Sequence, residues 1–165
     1  MIGKEAAIHL VFSVIFNQSC KSDVAFRAPG EMLKRLNIQF FDLYELERIG
    51  SQGIYQVLIL KPCLHRFPQN MATYIYNSVK IINAKYKSDP RNIWRNKTES
   101  EIMNGLKSLS GVGTHKVSQL LIYLYVLGEV AEISEYHIKY ISVNCANFLN
   151  NIDYNLRFIR NLQNE

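Results

Sequence analysis

The sequence predicts an all-helical fold, and three stretches carry that prediction. Residues 6–16, AAIHLVFSVIF, are almost wholly apolar and too long for an ordinary strand. Residues 71–86 put Ile75, Val79 and Ile82 on one helical face, with Lys80, Asn83 and Lys85 outside it. Residues 99–128 read as a helix, a Gly-x-Gly turn and a second helix.

Composition bounds the rest. A chain of 165 residues that is 48% hydrophobic can bury one sizeable core, so a single domain over residues 1–165 is expected, either compact throughout or as two small lobes sharing an interface. The formal charge of +5 and a pI near 9.1 favour a polyanionic partner. Cys20, Cys63 and Cys145 are odd in number and widely spaced. They make no zinc, cluster or disulfide pattern, which fits a reducing cytosol. No apolar run reaches spanning length and no signal-peptide cleavage pattern is present, so no membrane is expected.

Taken in order, residues 6–16 form a buried helix, and His9 within it reads as structural. Residues 17–23, NQSCKSD, are a polar break. Ser22 can cap the next helix, with Asp23 set against its dipole. That helix carries Val24 and Phe26, and Pro29-Gly30 predicts a kink or break before Met32, Leu33 and Leu36. Residues 37–51 read as short helices, and residues 52–60, QGIYQVLIL, as a further short helix, with a strand as the other reading. Residues 61–71 form a loop that gathers His65, Arg66 and Phe67 ahead of Pro68. After the helix of residues 71–86, Ser88-Asp89-Pro90 restarts the chain with Pro90 at a first helical position. The last stretch, residues 142–165, gives one or two closing helices.

The central motif follows. Thr98 and Glu101 have capping-box spacing, so a helix starts at Glu99 and carries Ile102, Leu106 and Leu109. Ser110-Gly111-Val112-Gly113 ends it, because the glycines allow positive φ and a close backbone approach. The next helix begins near Thr114, runs through Val117, Leu120, Leu121, Leu124 and Leu127, and stops at Gly128. Its first N–H groups lack intrahelical partners and point at a bare glycine surface, which suits a phosphate. Lys107, His115 and Lys116 add positive charge. A plain αα connection remains the alternative.

These residues resemble a known motif. L-S-G-V-G-T-H-K-V is similar to the helix-hairpin-helix of the endonuclease III-like DNA glycosylases, the HhH-GPD superfamily, whose usual form is L-P-G-V/I-G; Ser110 stands in place of the proline. The resemblance extends over roughly residues 8–143. It implies a two-lobed helical domain with double-stranded DNA in the cleft between the lobes. Gln18 matches the glutamine that enters the gap left by an extruded base, and Phe67 matches an apolar wedge, with His65 and Arg66 beside it. Gly111, Val112, Gly113, Thr114, Lys107 and Lys116 would hold the phosphate backbone, with His137 as a further DNA contact. A solvated loop glutamine and a core aromatic are the plain readings of Gln18 and Phe67.

The catalytic part of the pattern departs. In E-V-A-E-I-S-E-Y-H-I-K, aligning His137 with the family histidine puts Glu135 where the family has its catalytic Asp. Glu132 is the candidate if the register shifts. The family's nucleophilic lysine position holds His115, with Lys116 one residue and about a hundred degrees of helix further on. The family's four-cysteine iron–sulfur loop has no counterpart, so no cofactor and no cluster is expected. Hairpin carbonyls could hold a monovalent cation, as in relatives. The expected activity is hydrolysis of the N-glycosidic bond of a damaged or mismatched base, monofunctional, with Glu135 and His115 catalytic and no lyase step. The alternatives are a non-catalytic DNA-binding protein on the same scaffold, and a helical interaction domain without a DNA partner. A monomer is expected, cytoplasmic, or nucleoid-associated if prokaryotic.

Overall fold

The computed structural model describes residues 1–145 and 147–163. It contains eight α-helices and two short 3-10 helices, with no strand among the described residues. The core is built around α1 (Lys4–Phe16), in which every residue from Ala6 onward is buried. A helix that is apolar on all sides has to be covered on all sides. Here α2 (Ser22–Arg35), α4 (Pro68–Tyr86), α6 (Thr114–Val126), α8 (Ile152–Asn161) and the 3-10 turn at Pro90–Ile93 all pack on it. No described helix is long and apolar enough to cross a membrane.

Helix α2 (Ser22–Arg35) departs from expectation twice. Lys21 is its N-cap and Ser22 its first helical residue, with no side-chain cap. The helix also runs unbroken through Pro29. The buried face of Ala25, Phe26, Ala28, Pro29, Met32 and Leu33 holds it against α1, so packing overrides the local break. His9 contributes from α1. Burial lowers its pKa, and its neutral ring reaches the Phe26 carbonyl at 2.7 Å.

Asp42 caps α3 (Leu43–Leu58), accepting from the Tyr44 and Glu45 N–H groups. The helix is kinked at Gly50, with φ 78° and ψ 170°, so the two short helices expected on either side are its two arms. Arg35 Nη1 and Nη2 donate to the carbonyls of Val57, Leu60 and Pro62, which fixes the chain after α3. Helix α4 (Pro68–Tyr86) starts three residues before the apolar periodicity does, because Pro68 is suited to a first helical position.

The predicted capping box of α5 (Glu99–Lys107) is present: Thr98 Oγ1 accepts from the Glu101 N–H, and Glu101 accepts from the Thr98 N–H. Helix α6 (Thr114–Val126) follows the hairpin and packs on α1 and α7 (Glu135–Asn144). Helix α8 (Ile152–Asn161) closes the chain against α1 and α2.

Candidate nucleic-acid interface

The hairpin geometry is set by its neighbours. Gly111 has φ +79°, and a Cβ there would lie 2.7 Å from Cγ and Cδ2 of Tyr74 on α4. Ser78 Oγ, also on α4, donates to the Ser110 carbonyl at 3.1 Å. Val112 is buried and plugs the turn into the core. Gly113 is the N-cap of α6, extended, with no side-chain cap and nothing within 4 Å of where a Cβ would stand. Val117 N–H is the first in α6 to find an acceptor, the Gly113 carbonyl at 3.0 Å. The N–H groups of Thr114, His115 and Lys116 therefore have no backbone partner among the described residues.

Positive charge stands near this open helix start. Lys107 is exposed in the last turn of α5. A groove of about 550 Å³ runs beside the hairpin, lined by Asn77, Lys80 and Lys85 from α4 and by Ser108 and Ser110. Periodicity places both lysines on the outer face of α4, and the Ser78–Ser110 bond and the close Tyr74–Gly111 approach hold that helix against the hairpin.

A second cluster forms where α1 ends. His65 is buried; its Nε2–H donates to the Gln18 carbonyl at 2.8 Å and its Nδ1 accepts from the Phe67 N–H at 3.0 Å. Burial holds its pKa below the ordinary value, with the Lys116 and Arg66 charges acting in the same direction. This imidazole joins the Gln18 loop to the Phe67 loop, a positioning role rather than a surface contact. Phe67 is 39% exposed, and the exposed Arg66 guanidinium sits 5.1 Å from its ring centroid.

Lys116 turns inward to the same place. Its Nζ donates to the Ile15 carbonyl at 2.9 Å, and burial brings its pKa down to about 8. It ties the first turn of α6 to the end of α1, so its ammonium is not aimed at solvent phosphate. The sign of its effect is testable. Between pH 8 and 10.5 the folded chain has released a proton that the unfolded chain still holds, so stability should rise with pH across that window. Above pH 9 the Cys20 thiol, whose pKa burial raises, acts the other way. Thermal melts from pH 7.5 to 9 should therefore show wild type gaining stability relative to Lys116→Met, and parallel curves would refute the inward placement.

The remaining candidates are Glu135, His115, His137 and Glu132. Glu135 opens α7 with its side chain 86% exposed, paired with Lys139 at 3.3 Å. His115 is half-buried against Tyr140, and no hydrogen bond joins it to Glu135 among the described residues. His137 is 1% exposed. Its Nδ1 lies 2.9 Å from Ser118 Oγ, and its Nε2 lies 3.4 Å from Glu99 Oε1 without an aligned hydrogen bond. It fastens α7 to α5 and α6 and cannot touch DNA without unfolding that corner. Glu132 is exposed on the loop before α7.

Two further cavities were not foreseen. One of about 450 Å³ begins at Asn17, beside Gln18, and is lined by Cys20, Asp23, Phe148, Tyr154 and Asn155. The Asn155 side-chain carbonyl is buried there without a partner. The other, about 720 Å³, is lined by Trp94, Ile102 and the acidic Glu99, Glu129 and Glu132, a poor environment for phosphate. In the hairpin the carbonyls of Leu109, Ser110 and Gly113 each accept one hydrogen bond, from Val112 N–H, Ser78 Oγ and Val117 N–H. No protein-family model, curated protein or solved structure matches the chain.

Proposed function

We propose that this chain is a non-catalytic DNA-binding protein that holds the phosphate backbone of a duplex at its hairpin. The observation that carries the reading is the run of three unpartnered N–H groups at Thr114, His115 and Lys116 beneath the bare Gly113. An anion is stabilised there by the helix dipole and by direct donation. Lys107, Lys80 and Lys85 supply the field around it.

The HhH-GPD-like arrangement extends the reading. Two lobes would flank the duplex, with Gln18 and Phe67 on one wall and the hairpin on the other. The cavity beside Gln18 is within the size range of a small-ligand pocket and would receive one base turned out of the stack. Hydrolysis through Glu135 has less support. A carboxylate that stabilises developing positive charge acts strongly only where water is excluded, and Glu135 is largely in water and neutralised by Lys139.

Thr114→Pro tests the proposal. Proline is accepted at a first helical position, and the extended Gly113 before it is compatible. The change therefore keeps the fold and deletes one N–H from the cradle. A charge-assisted hydrogen bond contributes about 1.5–3 kcal/mol, so duplex affinity should fall by roughly ten- to a hundredfold. An unchanged affinity in fluorescence anisotropy would remove the hairpin from the binding surface.

A further inference from the structure

Helix α7 buries only His137 and Ile141. One residue back on the helix, Tyr136 and Tyr140 form a separate i, i+4 row. Their rings are stacked, with centroids 5.8 Å apart and planes at 29°. Tyr136 is 54% exposed, so the core does not account for it. The row continues onto α6, where His115 meets Tyr140 edge-on at 5.9 Å. His115 is the second residue of α6, so its own N–H is one of the three left open at the hairpin.

We propose that the exposed Tyr136 ring, backed by the half-buried Tyr140 with His115 edge-on beside it, is a stacking platform for an unpaired base of single-stranded DNA running on from the phosphate held at the hairpin. The inference rests on the hairpin reading for its position and on the ring row for its chemistry. A nucleotide joins one phosphate to one flat aromatic base. An anion cradle followed directly by π-faces matches that pairing in one strand. Three rings are far short of the ~800 Å² that each side of a stable protein interface buries. The one charged pair on this helix, Glu135 with Lys139, neutralises itself and leaves the rings as the recognition element. The chain would then prefer a junction of duplex and single strand over an unbroken duplex.

The test is fluorescence anisotropy with three labelled probes at one low salt concentration: a blunt duplex, the same duplex with an oligo(dT) tail, and oligo(dT) alone. Wild type should bind the tailed duplex more tightly than the blunt one. Tyr136→Ala should weaken tailed-duplex and oligo(dT) binding about 5- to 150-fold, from the cost of removing one base–aromatic stack. It should leave blunt-duplex affinity unchanged, and Tyr136→Trp should retain the tail preference. Equal affinity for tailed and blunt duplexes, or a tail preference that survives in Tyr136→Ala, overturns the platform. If no protein binds the blunt duplex, the hairpin reading has failed and oligo(dT) still decides the platform. Binding lost in Tyr136→Ala upholds it, whereas no binding, or binding unchanged in Tyr136→Ala, overturns it.

Discussion

Replacing Glu129 by Ala should cost about 3–5 kcal/mol, the range for breaking a buried ion pair by removing one partner. The Glu129 side chain is completely buried. One oxygen accepts from the Ile2 N–H, the other from the Trp94 indole N–H at 2.9 Å, and Arg95 Nε lies 3.6 Å away. Alanine would leave two donors and a guanidinium without their acceptor, and a hole beside the 1%-exposed Trp94. For a domain of this size the loss corresponds to a fall in Tm on the order of 10 °C. Trp94 is the only tryptophan in the chain. Its emission should therefore shift to the red in Glu129→Ala even before unfolding. Glu129→Gln keeps the shape but only one of the two acceptor oxygens, with its NH2 facing a donor, so it should fall between. A variant as stable as wild type would mean that this carboxylate does not hold the chain around α1.

Gly111→Ala should be the most damaging change in the hairpin. A left-handed φ of +79° costs a non-glycine residue about 1–2 kcal/mol. The new Cβ would also stand 2.7 Å from the near end of the Tyr74 ring, which cannot swing away as a flexible tip would. Overpacking of this kind adds roughly 1–3 kcal/mol. Tyr74→Ala in the same chain, which removes the Cγ and Cδ2 atoms that the new Cβ meets, should recover part of the steric share and none of the backbone share. Gly113→Ala is the control, with nothing near its Cβ position and ordinary φ; its stability should stay within about 0.5 kcal/mol of wild type. Urea titration of the four proteins measures both effects, and equal stability of Gly111→Ala and Gly113→Ala would contradict the hairpin geometry.

These features are unevenly legible in the order of residues, and the reasons are physical. Local chemistry was legible: the Thr98–Glu101 box, the glycine turn, the stop at Gly128 and the buried first helix each follow from neighbours in the chain. Where tertiary packing decided, local reasoning failed. Pro29 reads as a break, yet the α1 contact holds α2 continuous. Ser22 reads as a cap, yet the helix begins one residue earlier in capping terms, at Lys21. Side-chain direction was the least legible. His65, Lys116 and His137 are polar residues that all turn inward: His65 ties two loops together, and Lys116 and His137 tie helices. Lys80 and Lys85 carried no local mark of function, because only the docking of α4 under the hairpin makes them its neighbours. Nothing in the order of residues places the Tyr136–Tyr140 row next to His115.

The most direct test of the hairpin as a phosphate site is duplex affinity measured across salt concentrations, for wild type and Thr114→Pro. Phosphate contacts release counterions, so log affinity should fall linearly with log salt for wild type. Thr114→Pro should bind more weakly at every salt concentration while melting at the same temperature as wild type. Affinity that ignores salt, or no duplex binding at low salt by a folded wild-type chain, would contradict the hairpin as a site for the duplex phosphate backbone.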